Sequence, residues 1–152
     1  SNKLTFNHRR ENMSNRVFID SDVILDLLCK REPFYPDAAE LFTLGDLGTI
    51  ELVTTSVVFA NVFYILRKAL GIDKAKELLR KLRILVGIVP VCEKTVDLAV
   101  NSKFSDFEDG MQYFTARENG IKVLLTRNTK DYREKDVVVQ TPKQYLKTIK
   151  HQ

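Results

Sequence analysis

The chain has 152 residues, 44% of them apolar, and a formal net charge of +4 from 24 basic and 20 acidic side chains. That length and apolar content suffice for one well-buried core and are short for two, so residues 13–152 read as a single domain without repeats or linkers. No run approaches the roughly 18 apolar residues of a bilayer span, and the polar opening SNKLTFNHRRENMSN lacks the apolar centre of a signal peptide, so no membrane association and a cytoplasmic location are expected.

Met13 stands close enough to the first apolar segment to be a natural start, which makes residues 1–12 an upstream extension or an added remnant with no part in the fold. The two histidines, His8 and His151, fall in the terminal tails, which argues against a histidine base or a Ser-His-Asp triad. Cys29 and Cys92 lie far apart without CxxC spacing and are expected to be core thiols, not zinc ligands. Any catalysis must therefore run on carboxylates.

The first predicted element is a strand, RVFID, followed by a short helix, VILDLLCK. Asp20 and Asp22 stand at their junction, with Asp26 one helical turn beyond Asp22. Clustered carboxylates at a strand end are costly to bury unless a cation or proton intervenes. A second helix, PDAAELFTLGDLG, a strand, IELVTT, and a long helix, SVVFANVFYILRKAL, follow; Asn61 is a polar residue on an otherwise apolar stretch of the last. DKAKELLRKLRIL is an amphipathic helix. From Arg67 to Arg83 the chain carries Arg67, Lys68, Lys74, Lys76, Arg80, Lys81 and Arg83 against only Asp73 and Glu77, a face that is either merely solvated or suited to a polyanion.

GIVPV is then a strand interrupted by Pro90, and EKTVDLAV a helix. SDFEDGMQYFTARENG forms a further helix whose Ser105 and Glu108 have capping-box spacing. IKVLLT and VVVQ are strands, and TPKQYLKTI is a last helix with Thr141 as N-cap and Pro142 in its first turn. Strands alternating with helices imply a mostly parallel sheet covered on both faces. Ligand crevices in such sheets lie beyond the carboxyl ends of the strands. Asp20 stands at one such end, Asp131 follows IKVLLT, and Asp109 lies in the helix that leads into that strand. Their hard oxygen donors suit Mg²⁺ or Mn²⁺ better than zinc.

FIDSDVILDLL resembles the opening of PIN-domain nucleases, in which a strand ends in Asp-Thr-Asn before an apolar helix. FSDFEDGMQYFTARENGIKVLLTRNTKDY resembles the later block of that family, an acidic helix followed by a strand and a Thr-Arg-Asn-x-x-Asp-aromatic turn. The resemblance runs from about Arg16 to Ile149. It implies a three-layer α/β/α sandwich and a Mg²⁺- or Mn²⁺-dependent endoribonuclease, often the VapC-like toxin of a toxin-antitoxin pair with a small antitoxin partner. By position, Asp20 matches the first metal-binding acid, Asp109 the third and Asp131 the fourth. Asn61 stands where most of the family has Glu, in an Ala-Asn pattern that a set of bacterial members shares. Ser21, Asp22, Asp26, Asp106 and Asn128 are candidate supporting residues. Arg67, Lys68, Lys76, Arg80 and Arg127 are the candidate contacts to RNA phosphates, and a homodimer is expected.

The chemistry implied is metal-assisted hydrolysis of a phosphodiester without a protein nucleophile. Two other readings fit part of the pattern. A non-catalytic RNA-binding PIN-like domain would accommodate Asn61. A haloacid-dehalogenase-like phosphatase would use DSD as nucleophile and acid, but needs a downstream strand ending in paired aspartates that this chain lacks.

Overall fold

The computed structural model describes residues 15–150; the expectations about residues 1–12, Met13, His8 and His151 fall outside them. Five parallel strands form one sheet in the order β3-β2-β1-β4-β5: β1 Arg16–Ile19, β2 Glu51–Thr54, β3 Val86–Ile88, β4 Val123–Leu125 and β5 Val138–Gln140. The helices described are α1 Ser21–Leu28, α2 Tyr35–Asp46, α3 Ser56–Leu70, α4 Ile72–Leu85, α5 Glu93–Val100, α6 Phe107–Glu118 and α7 Pro142–Lys150.

Alternation along β1 divides the core. Val17 and Ile19 join Leu52, Leu125 and the buried faces of α1 to α4 on one side of the sheet, while Phe18 joins Val53, Leu124 and the α6 residues Tyr113 and Phe114 on the other. Helices thus cover both faces, giving the expected three-layer α/β/α sandwich. No described helix is long and apolar enough to cross a membrane.

Boundaries follow local chemistry. Thr55 caps α3 by accepting from the Val58 N–H at 3.2 Å, and Gly71, at φ 86°, turns the chain from α3 into α4. Thr141 and Gln144 exchange side-chain to backbone hydrogen bonds in a complete capping box at α7. Three expectations need correction. β3 stops at Ile88, before Pro90, because proline cannot donate to the ladder. The N-cap of α6 is Asp106, not Ser105: its carboxylate accepts the Asp109 N–H at 3.1 Å. Cys29 and Cys92 are both exposed, because each lies at a helix end outside its apolar stripe.

Candidate active site

The strand order reverses between β1 and β4, where the chain that built β2 and β3 on one side begins the other half of the sheet. A crevice opens beyond the carboxyl ends of strands at such a point. Asp20 follows β1 and Thr126 follows β4, and the Asp20 N–H donates to the Leu125 carbonyl at 3.0 Å, extending the pairing one residue beyond the strand. From the neighbouring strand the Thr54 hydroxyl donates to the Ile19 carbonyl at 2.8 Å, fixing the backbone one residue before Asp20.

Asp20 is 8% exposed. Its Oδ1 accepts from the Ser21 N–H at 2.6 Å, and the Ser21 hydroxyl lies at 3.3 Å. Its Oδ2 is 2.9 Å from the Thr126 hydroxyl, which is also 3.2 Å from Asp22 Oδ2. A hydroxyl carries one proton, so it cannot satisfy both carboxylates at once. Asp22 Oδ2 also accepts from the Arg127 N–H at 2.9 Å, while Asp22 Oδ1 is buried with no hydrogen-bond partner. Burial, then the Asp22 charge, push the Asp20 carboxyl up to about 7.

Asp109 reaches the same neighbourhood from α6, and its charge contributes to the rise at Asp20. Tyr132 donates its phenolic proton to Asp109 Oδ1 at 3.2 Å. The Asp109 carboxyl is itself pushed up to about 6, by burial first and then by the charge of Asp106, against the pull of Tyr132. Tyr132, 8% exposed, is raised by burial next to these acids and stays a proton donor. Neither charge nor periodicity singles it out in the sequence; its place as the aromatic residue after Asp131 is the available signal.

Asp131 is less central. It is exposed in a 3-10 turn, Thr129–Asp131, and accepts from the Asn128 side-chain amide, with its charge felt at Asp109. Asn61 does face polar company: its Nδ2 donates to Glu108 Oε1 at 2.7 Å. Asp26 is 1% exposed and ion-paired to Arg127, Nε to Oδ2 at 2.8 Å, with the Arg127 side chain still 31% exposed. On the α3–α4 hairpin, Lys74 and Lys81 pair with Glu77, and Arg67 lies over the Tyr64 ring. Lys76 and Arg80 line a shallow depression with Ser56 and Phe59, beside the carboxyl edge of β2.

Among the described residues no three Asp, Glu, His or Cys side chains converge closely enough to hold an ion by themselves. The donors fit a cation that keeps its own water. An orphaned carboxylate oxygen, two carboxylates with one hydroxyl proton between them and an all-oxygen donor set match Mg²⁺ or Mn²⁺, which bind through one or two carboxylates and retain several waters.

The PIN domain family model matches residues 16–130. Ribonuclease VapC1 of Aquifex aeolicus (strain VF5) is 30% identical over 139 residues, spanning 87% of this chain and 94% of that protein. Among solved structures, VapBC2 of Rickettsia felis bound to a DNA fragment from its promoter aligns with a TM-score of 0.65 at 15% identity, over 83% of this chain and 98% of that one. A toxin-antitoxin complex from Klebsiella pneumoniae aligns at 0.61 and 18% identity, over 83% and 97%. Mycobacterium tuberculosis VapC20, a sarcin-ricin loop cleaving toxin, aligns at 0.60 and 15% identity, over 76% and 92%.

Proposed function

This chain belongs to the PIN-domain family, and from that membership we propose that it is a Mg²⁺- or Mn²⁺-dependent endoribonuclease that acts as the toxin of a VapBC-type toxin-antitoxin pair. The observation that carries the reading is the Asp20–Asp22 pair, with one hydroxyl proton between two carboxylates and one buried oxygen left over. A divalent ion bound there would activate water and neutralise charge on the phosphate.

The protein's own residues would do the rest. Asp20 and Asp22 would hold the ion, with Ser21 and Thr126 fixing the orientation of Asp20. Asp109, oriented by Tyr132, would face the ion's water shell, with Asp131 and Asn128 at the outer margin. Lys76, Arg80, Arg67 and Lys68 would hold neighbouring phosphates of the RNA. Tyr64, Ile65, Leu70 and Ile72 leave apolar surface exposed on the α3–α4 hairpin, suited to a second copy of the chain or to the antitoxin.

Incubation of the purified chain with structured and unstructured RNAs in Mn²⁺, Mg²⁺ or chelator tests the proposal. Cleavage that needs the ion and stops with chelator is expected. RNA binding without cleavage under every ion would instead favour the non-catalytic reading.

A further inference from the structure

A cavity of about 240 Å³ lies between the α1–α2 loop, the turn after β4 and the start of α7. Asp26 is part of its wall, one helical turn along α1 from Asp22 and on the same face of that helix. Arg127 links the cavity to the site carboxylates: its backbone N–H holds Asp22 Oδ2 at 2.9 Å, while its side chain lines the cavity. The two places share a residue.

The lining combines planar and apolar groups with a few polar ones. Phe34, 40% exposed, carries the Arg127 guanidinium 4.1 Å from its ring centroid, and Pro33 and Pro142 complete the apolar walls. Because Asp26 matches the Arg127 charge at 2.8 Å, this wall suits a flat neutral group better than a second phosphate. Asp37 adds a half-buried acceptor. The Thr141 hydroxyl accepts from the Gln144 N–H at 3.2 Å and has no acceptor for its own proton among the described residues, while Asp26 Oδ1 has no hydrogen-bond partner. Unstacked bases of single-stranded RNA lie on aromatic and guanidinium planes and are hydrogen-bonded along their edges. The volume is below the roughly 300–1,000 Å³ of pockets for drug-sized ligands, which suits one base and not a longer segment.

We propose that this cavity holds one nucleobase of the RNA, stacked against Phe34 and Arg127, beside the phosphate positioned at Asp20 and Asp22. The inference rests on the RNA-cleaving reading above and deepens it: the substrate is a strand with a base free to leave the stack. Phe34 is then a substrate-binding residue that takes no part in the chemistry.

RNA binding tests this in the Asp20→Asn chain with chelator, where nothing is to be cut, using single-stranded oligoribonucleotides that carry an abasic site at successive positions. Loss of one particular base should weaken binding roughly tenfold, with smaller effects elsewhere, as stacking on an aromatic ring predicts. Phe34→Leu keeps the apolar volume and removes the ring. Added to that chain, it should weaken binding of the intact RNA by a similar factor and erase the penalty at that position, and Phe34→Tyr should restore both. An abasic profile that is flat from the outset, or that Phe34→Leu leaves unchanged together with the affinity, overturns the proposal and leaves the cavity to a side chain of a protein partner. A lower affinity with the profile intact also overturns it, since a disturbed α1–α2 loop would give that result. The nuclease reading fails separately: an unmodified chain that cuts no RNA in Mn²⁺ or Mg²⁺ while the Phe34-dependent profile holds keeps the base site and loses the ribonuclease.

Discussion

Arg127 Nε lies 2.8 Å from Oδ2 of Asp26, and the same guanidinium sits 4.1 Å from the Phe34 ring centroid. The pair ties the turn after β4 to α1. Because the Arg127 N–H holds Asp22 and the preceding Thr126 touches both site carboxylates, it also sets the geometry of the crevice. Burial pushes the Asp26 carboxyl up while Arg127 pulls it down. Removing one partner of a buried pair leaves the other uncompensated at about 3–5 kcal/mol, less where one group is partly exposed, as Arg127 is at 31%. Asp26→Ala should therefore cost about 2–3 kcal/mol. Urea unfolding at constant m-value checks this, and a loss under about 0.5 kcal/mol would reduce the pair to a surface contact.

Thr126→Val removes the hydroxyl between the two carboxylates and the acceptor of the Asn128 N–H, which it meets at 3.2 Å. Thr126 is fully buried, so the loss should be about 1–3 kcal/mol in chelator. Cleavage should fall roughly tenfold or more, since orienting partners of metal-site carboxylates have effects of that size. Melting curves with and without Mn²⁺, beside RNA cleavage rates, give both quantities.

The raised carboxyls predict an unusual pH trend. In the folded chain Asp20 titrates at about 7 and Asp109 at about 6, against an ordinary 3.8. Between about pH 4 and 7 the folded state thus binds more protons than the unfolded one, so these groups stabilise the metal-free fold most below pH 4 and lose that contribution as pH rises through 6 and 7. In chelator, Asp20→Asn should flatten this decline relative to the unmodified chain. Melting temperature against pH in the two proteins measures it, and parallel curves would contradict it.

Reversing charge at Lys76 and Arg80 should weaken RNA binding and lower the salt slope by about 0.7 for each phosphate that is no longer neutralised. Binding isotherms at several salt concentrations test it. An unchanged slope would make the α4 face merely solvated, leaving the RNA phosphates to other cations.

What the sequence discloses depends on how far apart the partners lie. Helix α3 is legible over Ser56–Leu70 because its apolar spacing and closing glycine are local. Asp20 and Asp109 are legible because a motif marks them. Neither the Asn61–Glu108 hydrogen bond, across 47 positions, nor the Asp22–Thr126 contact, across 104, leaves a local trace, because each exists only once helices and strands have packed. Nor does the Arg127–Asp26 ion pair leave such a trace. The exposed cysteines show the converse: an apolar neighbourhood in sequence does not place a helix-end side chain in the core.

The central claim is that the Asp20–Asp22 pair holds a divalent ion used to cut RNA. Its most direct test is the rate of single-stranded RNA cleavage as a function of Mn²⁺ concentration, in the unmodified chain and in Asp20→Asn, with folding of both verified by melting in chelator. The unmodified chain should cleave with saturable Mn²⁺ dependence, and Asp20→Asn should remain folded, at equal or higher melting temperature, without measurable cleavage. A folded Asp20→Asn protein that cleaves with the same Mn²⁺ dependence would contradict the claim.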